Sequence, residues 1–250
     1  MQNLETSLKK TKLNRLIKKL RAFFAENKKK KAVIGLSGGV DSALTCFLLC
    51  KALGRKNVFP LHLPYYRNPE AEQNARTLAK LFGLRLQTVS IKKMVDSIAD
   101  SLKCDRRRKG NVMSRVRMIV LYDFARKHDA LVAGTGNKSE IATGYYAKHG
   151  DGGVDFLPIG GLLKKEVRGL ALEAGIPEGI VWQKPTAGLW LGQTDEGELK
   201  MSYAELDAIL ELFEKGQTEK ARKKFGLKKV ARVLELREKS KHKREQPSML

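Results

Sequence analysis

The segment from Gly35 to Ser42 reads GLSGGVDS and combines closely spaced glycines with two serines and an aspartate. Glycine lets the backbone turn tightly and approach a ligand closely. The free N–H groups at the start of a following helix suit phosphate. Asp41 is unexpected in an anion site, because its carboxylate repels phosphate unless a magnesium ion lies between them. The segment has neither the Walker lysine nor the GxGxxG spacing, so we interpret it as a different loop that binds phosphate.

Further along the chain, four segments carry polar side chains in patterns that could bind a ligand. They are GNVMSRVRM from Gly110, GTGNKSE from Gly134, KHGDGGVDFLPI from Lys148 with Lys164 after it, and PTAGL from Pro185 with QTDE after it. The first two also have a simpler interpretation. The first could be a solvated basic helix, and Asn137 or Ser139 could merely cap a helix. Arg115 and Arg117 cannot share one helical face, so one could face a ligand while the other serves the fold.

The elements that must position these segments alternate along the chain. Short apolar runs predict strands at Ala32–Leu36, Val58–Leu63, Leu84–Ser90 and Ala130–Ala133. Helical spacing follows Asp41 and covers about Glu70 to Phe82 and Val112 to Lys127. Strands that alternate with helices predict an α/β fold, with a parallel sheet covered by helices on both faces.

The two ends of the chain are predicted to be helical. Leu13, Leu16, Ile17, Leu20 and Phe24 mark an amphipathic helix at the start, and apolar residues around Leu206–Phe213 and Val230–Leu234 mark helices near the end. The glycine-rich stretch Thr186–Lys200 is interpreted as a mobile loop. No linker divides the chain, so we predict one domain over residues 1–250.

Composition limits the classes of protein. The chain has 250 residues and a net charge of +22, which is compatible with nucleic acid or with a polyphosphate small molecule as the ligand. Its three cysteines include no CxxC pair, so we expect no disulfide framework or zinc site, and Cys46 and Cys50 should pack in the core. No run of about 18 apolar residues is present, and the polar N-terminus argues against a secretory signal. These features fit a cytoplasmic protein.

The loop SGGVDS resembles the pyrophosphate-binding loop of the ATP pyrophosphatase superfamily, whose members cleave ATP between its α and β phosphates. Together with the later segments, in the same order and spacing, it resembles the NAD synthetase family from about Ala32 to the C-terminus. The resemblance implies a Rossmann-like fold of the adenine nucleotide α-hydrolase type with a helical C-terminal part. It also implies a ligase that amidates deamido-NAD with ammonia, consuming ATP, in the last step of NAD biosynthesis.

Residue by residue, the resemblance assigns ligands as follows. ATP would be bound by Gly35, Leu36, Ser37, Gly38, Gly39, Val40, Asp41, Ser42, Thr135, Lys164 and Thr186. Deamido-NAD would be bound by Arg115, Lys148, Asp155, His242 and Lys243. Magnesium would be held by Asp41 and Glu140. Lys164 would neutralise the leaving group, and Asp151 is the candidate that helps ammonium lose a proton, although an aspartate that only shapes its loop is the alternative.

The resemblance has further implications. The family is typically homodimeric, with deamido-NAD near the subunit interface. Relatives that use glutamine carry an extra amidase domain for which this chain is too short, so the nitrogen would come from free ammonia or from a separate partner. Three positions depart from the family pattern: Ser114 replaces a usual alanine, Asn74 a common aspartate and Lys200 a common glycine.

Two other functions compete with this one. A tRNA-modifying member of the same superfamily would explain the basic charge, but would often carry redox cysteines. A binding protein without catalysis, for nucleotides or nucleic acid, would not need both Asp41 and Glu140. We therefore expect nucleic acid not to be a partner.

Overall fold

The computed structural model describes residues 2–246 and residue 249; Met1 and residues 247, 248 and 250, at the ends of the predicted domain, lie outside the described residues. Within the described part, the strands are β1 (Ala32–Gly35), β2 (Val58–His62), β3 (Gln87–Thr88) and β4 (Leu131–Ala133). The helices are α1 (Gln2–Glu26), α2 (Val40–Leu53), α3 (Pro69–Phe82), α4 (Lys92–Ser101), α5 (Arg106–His128), α6 (Lys138–Thr143), α7 (Lys164–Glu173), α8 (Glu178–Val181), α9 (Asp195–Leu199), α10 (Tyr203–Glu214), α11 (Thr218–Phe225), α12 (Leu227–Lys239) and α13 (Lys241–Arg244).

The four strands form one parallel sheet in the order β3-β2-β1-β4. Val33 of β1 is paired with Phe59 on one side and with Val132 on the other. The chain therefore moves outward from β1 in one direction through β2 and β3, and in the other direction to β4. A crevice forms where the strand order reverses in this way, and ligands of open α/β sheets bind there, at the carboxyl ends of the strands.

Side chains of the central strand alternate between two cores, as the pleat of a strand requires. Ala32 and Ile34 belong to a cluster shared with α1, α2, α3 and α7. Val33 belongs to a second cluster, on the opposite face, shared with α4 and α5. The predicted parallel sheet with helices on both faces is confirmed. Cys46 is buried in the first cluster, where it behaves as a small apolar residue.

A third apolar cluster lies outside the sheet and confirms the helical C-terminal part. Its buried members come mainly from α10, α11 and α12, including Leu206, Ile209 and Val233. Leu163, directly before α7, joins the same cluster. The C-terminal helices are thereby packed against α6 and α7, which follow the sheet in the chain.

Some predicted boundaries differ from the observed ones. The run Leu84–Ser90 yields a strand of only two residues, because Gln87 and Thr88 alone pair with the end of β2 while Leu84 and Leu86 pack into the first core. Helix α5 begins well before Val112, since Asp105 accepts a hydrogen bond from the Arg108 N–H and caps it.

The prediction of a loop over Thr186–Lys200 is only partly correct, because Asp195–Leu199 within it form α9. Thr194 caps this helix through Gly197 N–H, and Lys200 ends it in the left-handed conformation with φ 65°. Glycine adopts that conformation most easily, which accounts for the glycine that the family pattern commonly has there. No helix of the described residues has the length and apolar character needed to cross a membrane.

Candidate active site

The glycine-rich loop joins the end of β1 to the start of α2, at the switch point of the sheet. Gly38 has φ 93°, and a Cβ atom there would lie 2.4 Å from the carbonyl oxygen of Ala71 on α3. Only glycine therefore fits this close approach. Gly39 precedes α2, and no side chain accepts a hydrogen bond from the first turn of that helix. The N–H groups of this turn follow the carboxyl end of β1 and are left without a side-chain acceptor, as an anion site requires.

The two serines of the loop hold each other in place. Ser42 Oγ donates to Gly39 O at 2.9 Å and lies 3.1 Å from Ser37 Oγ. Ser37 Oγ in turn accepts a bond from Gly39 N–H at 3.3 Å. These bonds fix the turn with side-chain hydroxyls rather than with a lysine.

Asp41, Glu140 and Lys164 converge beside this loop, although they come from three distant parts of the chain. Lys164 Nζ lies 2.5 Å from Asp41 Oδ2 and 3.6 Å from Glu140 Oε1. The lysine side chain is only 3% exposed and the two carboxylates are 19% and 16% exposed. The loops after β1 and β4 bring the carboxylates together because these strands are neighbours in the sheet.

Asn137 connects the two carboxylates. Its Nδ2 donates to Asp41 Oδ1 at 2.9 Å, and its Oδ1 accepts from Glu140 N–H at 3.1 Å. Glu140 Oε2 accepts from Asn137 N–H at 3.1 Å and completes a capping box. The alternative prediction that Asn137 caps a helix is confirmed. The same side chain also positions the carboxylates of Asp41 and Glu140.

Burial changes the acidity of this cluster. Desolvation, reinforced by the negative charge of Asp41, raises the pKa of Glu140 to about 8. Burial opposes the charged form of Lys164, yet the carboxylates of Asp41 and Glu140 hold the pKa of its ammonium above the usual value. Lys164 is therefore a fixed positive charge in the site.

The sequence did not reveal a second polar layer behind Glu140. Tyr203 donates its hydroxyl toward Glu140 Oε1 at 3.3 Å and Asp195 Oδ2 at 3.1 Å. Lys164 Nζ lies 4.9 Å from the centre of the Tyr203 ring. Tyr145 donates to Asp195 and to Glu198, the latter at 2.7 Å. Tyr203 offered no signal, since it begins a helix that is defined by its apolar residues.

A second group of predicted residues meets around the segment after α6. Arg115 is exposed on α5 and reaches toward Lys148 O at 3.5 Å. Lys148 Nζ donates to His242 O at 2.7 Å. Lys243 Nζ donates to Gly144 O and Tyr146 O at 2.7 and 2.6 Å. Arg115, Lys148, His242 and Lys243 are thus assembled from α5, this segment and α13.

The two arginines of α5 have the separate orientations expected from their spacing. Arg117 is directed inward, and its Nε donates to Leu63 O at 3.2 Å. Burial lowers the pKa of its guanidinium. Arg115 is left on the exposed side of the helix, where a ligand can reach it.

Asp151 and Asp155 are both engaged in local contacts. Asp151 Oδ1 accepts bonds from Ser114 Oγ at 2.6 Å and from Ala147 N–H at 2.9 Å. Asp155 accepts from Val132 N–H at 2.7 Å and from Tyr122 Oη at 3.1 Å. Each aspartate therefore shapes its loop, and each remains exposed to solvent.

The two predicted threonines lie in loops. Thr135 follows β4 and is half-buried, whereas Thr186 is exposed and its hydroxyl accepts a bond from Gly188 N–H at 3.1 Å. No hydrogen bond within the described part of the chain joins Thr186 to the Asp41 cluster.

The donor set fits magnesium bound together with phosphate. Asp41 and Glu140 supply hard oxygen ligands on either side of one lysine, and their mutual repulsion would be relieved by a cation. Among the described residues, no group of three or more His, Cys, Asp or Glu could hold a metal ion. Magnesium commonly uses one or two carboxylates and takes its other ligands from phosphate and water.

A glycine-rich loop at the switch point of a parallel sheet, with a buried lysine and two carboxylates beside it, is typical of α/β proteins that bind nucleotides. Residues 12–247 match the family model described as NAD synthase. The chain belongs to the NAD synthase family. Because the chain belongs to this family of ligases, it is neither a tRNA-modifying enzyme nor a binding protein without catalysis.

Relatives and solved structures agree with this family. The chain is 44% identical over 205 residues to the NH3-dependent NAD+ synthetase of Pyrococcus furiosus, covering 81% of this chain and 79% of the relative. It superimposes on an NMN synthetase from Francisella tularensis with a TM-score of 0.87 at 31% identity, covering 97% and 98% of the two chains. An NH3-dependent NAD synthetase from Campylobacter jejuni gives a TM-score of 0.84 at 27% identity with the same coverage. Synthetases of this family are ligases, and those that make NAD catalyse the last step of its biosynthesis.

Proposed function

We propose that this protein is an ammonia-dependent NAD synthetase, which converts deamido-NAD, ATP and ammonia into NAD, AMP and pyrophosphate. The observation that carries the proposal is the meeting of Asp41, Glu140 and Lys164 at the start of α2. Lys164 bridges both carboxylates, at 2.5 and 3.6 Å. This arrangement suits the cleavage of a polyphosphate, because the N–H groups of α2 and the lysine neutralise negative charge.

ATP would bind along the loop from Gly35 to Ser42. The β and γ phosphates would meet the loop N–H groups and the hydroxyls of Ser37 and Ser42. Lys164 would neutralise charge at the scissile bond. Thr135 and Thr186 would contact the rest of ATP from the loops after β4 and α8.

Magnesium would be held by Asp41 and Glu140. When bound, it would supply positive charge that neutralises and orients the phosphates. Lys164 and Asn137 keep the two carboxylates in place for this role, since each contacts Asp41 within 3 Å.

Deamido-NAD would bind at the second group of residues. Arg115, Lys148 and Lys243 would supply positive charge for its two phosphates, His242 would donate a hydrogen bond, and Asp155 would supply an acceptor for a ribose hydroxyl. Since Lys243 already donates to two backbone carbonyls, it would also order the segment that carries Lys148.

The reaction has two steps. An oxygen of the nicotinate carboxylate forms a bond to the α-phosphorus of ATP as the bond to the β-phosphate oxygen breaks, and pyrophosphate leaves. Ammonia then forms a bond to the acyl carbon, AMP departs with the electrons of the broken C–O bond, and the bound nitrogen loses one proton to water to give the neutral amide. Lys164 stabilises the charge of the leaving pyrophosphate, and the site holds the reactants in line. Asp151 would take the proton that ammonium loses.

One assay tests this function directly. Protein mixed with ATP, magnesium, deamido-NAD and ammonium should release NAD, AMP and pyrophosphate in equal amounts. Asp41→Asn and Glu140→Gln should each lower turnover at least about 100-fold, because each removes a carboxylate that would hold magnesium at the phosphates. Asp129→Asn, which only breaks an exposed ion pair with Lys29, is the matched control and should keep full turnover. Release of ADP would contradict the proposal.

A second substrate, nicotinate mononucleotide, has one observation in its favour. The Francisella tularensis protein, which superimposes on 97% of this chain with a TM-score of 0.87, is an NMN synthetase. Amidation of the mononucleotide would use the same chemistry without the adenylyl half of deamido-NAD. Comparing kcat/KM for the two substrates decides between them, and we expect deamido-NAD to be preferred at least tenfold, about 1.4 kcal/mol. A higher kcat/KM for the mononucleotide would assign the protein as an NMN synthetase.

The remaining features of the proposal concern assembly and location. The described residues would work as one domain that uses free or delivered ammonia and acts in the cytoplasm, where Cys46 and Cys50 stay reduced. It would form a homodimer through the exposed face of α5, where Ile119 is 63% and Tyr122 39% exposed beside Arg115. Ile119→Glu should shift the sedimentation coefficient to that of a monomer, whereas Leu227→Glu, at another exposed apolar residue, should not. A wild-type monomer would contradict the dimer.

A further inference from the structure

Helix α7 begins with Lys164, and Glu166 of its first turn accepts only the Leu163 N–H, at 2.8 Å, so no side chain of the helix's own sequence accepts from the N–H groups of Lys164 and Lys165. The residue before it is Leu163, whose side chain cannot accept a hydrogen bond. Lys164 N–H instead donates to Ser139 Oγ at 3.1 Å, and Lys165 N–H donates to Asp207 Oδ2 at 2.8 Å. Side chains of two other helices, α6 and α10, therefore satisfy the first two N–H groups of α7.

Asp207 connects three helices through one carboxylate. Its second oxygen, Oδ1, accepts a bond from Ser139 Oγ at 2.5 Å. Asp207 is 1% exposed and Ser139 is fully buried. Since Ser139 directly precedes Glu140 on α6, the carboxylate links the helix that carries Glu140 to the helix that carries Lys164.

Packing alone does not explain a buried aspartate at this point. Leu206, Ile209 and Leu210 of α10 already provide an apolar face within the third cluster. A buried carboxylate is unfavourable unless it is fully hydrogen-bonded, and an apolar side chain would satisfy the packing at lower cost. Its negative charge at the start of α7 also complements the positive end of the helix dipole. The bonds of Asp207 thus fix the register of α7 against α6 and α10.

We propose that Asp207 is a positioning residue for the adenylation step, which acts by holding Lys164 against Asp41 and Glu140. The role given to Lys164 rests on the proposed function. The hydrogen bonds themselves do not, so they can be tested separately.

The consequence of losing Asp207 follows from these bonds. Asp207→Ala would leave the Lys165 N–H without an acceptor and Ser139 Oγ without one of its partners. The first turn of α7 would then open more often, and Lys164 Nζ would no longer be held 2.5 Å from Asp41 Oδ2. A displacement of about 1 Å in a catalytic group can lower the rate about 100-fold.

Glu211 provides a matched control on the same helix. It lies one turn after Asp207 and contacts the same residue, Lys165, but through an exposed ion pair of 2.6 Å with the side-chain ammonium. Such a surface pair contributes little to stability. Glu211→Ala therefore removes a carboxylate from α10 without touching the cap of α7.

The experiment combines amide exchange with kinetics. In the full-length protein, Asp207→Ala should speed hydrogen exchange of the Lys164 and Lys165 amides at least about tenfold, and Glu211→Ala should leave it unchanged. Asp207→Ala should lower kcat for NAD formation by about 30-fold to 100-fold. Asp207→Asn keeps one acceptor oxygen for the Lys165 N–H and should restore most of the loss. Glu211→Ala should stay within about twofold of the wild type.

A double variant separates positioning from general destabilisation. In a Lys164→Ala background, adding Asp207→Ala should change kcat less than about twofold, because the group that it positions is gone. An equal fractional loss of kcat in both backgrounds would overturn the proposal, as would unchanged exchange in Asp207→Ala. If the wild type makes no NAD, the proposed function fails while the exchange comparison still reports whether Asp207 caps α7.

Discussion

Lys164 Nζ lies 2.5 Å from Asp41 Oδ2, although the two residues are separated by 123 positions in the chain. The bond crosses from the first turn of α7 to the first turn of α2. It places one nearly inaccessible ammonium between two carboxylates, since Glu140 lies on its other side. The site therefore consists of charges that are costly to bury separately and are tolerated because they are buried together.

Removing that ammonium should harm both stability and activity. We predict that Lys164→Met lowers the free energy of unfolding by about 3 kcal/mol, because the Asp41 carboxylate loses the ammonium that compensates its burial. Turnover should fall at least about 100-fold. Denaturant titration and the NAD assay measure the two effects.

The double variant Asp41→Asn, Lys164→Met is the control for this prediction. It removes one carboxylate together with the lysine, so it should recover part of the stability but none of the activity. If Lys164→Met is as stable as the wild type, the ion pair between Lys164 and Asp41 does not stabilise the fold.

Asn137 should tolerate loss of its amide better than conversion to a carboxylate. Asn137→Ala removes the cap of α6 and should cost about 1–2 kcal/mol of stability. Asn137→Asp keeps an acceptor for the Glu140 N–H but places a negative charge where Nδ2 now donates to Asp41 at 2.9 Å. We therefore expect Asn137→Asp to be the less active of the two variants. Thermal unfolding and steady-state kinetics at several magnesium concentrations would show the difference, and equal activity would contradict it.

Ser114 allows the two roles of Asp151 to be distinguished. Its hydroxyl donates to Asp151 Oδ1 at 2.6 Å and accepts from Asp151 N–H at 2.9 Å. If Asp151 takes a proton, Asp151→Asn should lower kcat by at least about 100-fold, whereas Ser114→Ala should change it only about threefold. If Asp151 only shapes the loop, both variants should show the same small loss. The dependence of kcat on ammonium concentration would identify the step that is affected.

Asp96 should contribute to stability in neutral solution but not in acid. Hydrogen bonds from Lys109, then Lys92 and Tyr65, hold the pKa of its carboxyl well below the usual value. A group with a depressed pKa stabilises the fold above its unfolded pKa of about 3.9 and loses that effect as the pH falls further. The stability difference between the wild type and Asp96→Asn should thus be constant from about pH 7 to 5 and shrink below about pH 4. A difference that keeps its full neutral-pH size at pH 2 would show that the carboxylate charge is not the cause.

The sequence predicted most of what depends on local pattern. Strand–helix alternation predicted the parallel sheet, and the glycine pattern around Gly38 located the tight turn between β1 and α2. The spacing of Arg115 and Arg117 correctly predicted that they diverge. These predictions succeed because side-chain direction is set by the period of a helix or strand.

What the sequence could not reveal depends on contacts between distant segments. Tyr203 and Asp207 lie in α10, where their neighbours predict only an amphipathic helix, yet both reach residues beside the phosphate loop. Lys243 was predicted to bind a ligand, but its bonds to Gly144 and Tyr146 required α13 to be placed against α6. The sequence pattern did not predict α4, and it predicted a strand over Leu84–Ser90 where β3 has only two residues. Elements at the edge of a sheet depend on packing more than on local pattern.

The contact between Ser240 and Gly144 also sets an order of events during synthesis. A Cβ atom on Gly144 would lie 2.0 Å from Ser240 Cβ, so the end of α12 packs directly on the turn that ends α6. The phosphate loop and both carboxylates are translated well before Ser240. While the ribosome is still making the last helices, the nascent chain already carries Asp41, Glu140 and Lys164 but has no support for the turn at Gly144. The turn at Gly144 is therefore packed only once synthesis has passed Ser240, later than every residue that contacts Asp41 or Glu140.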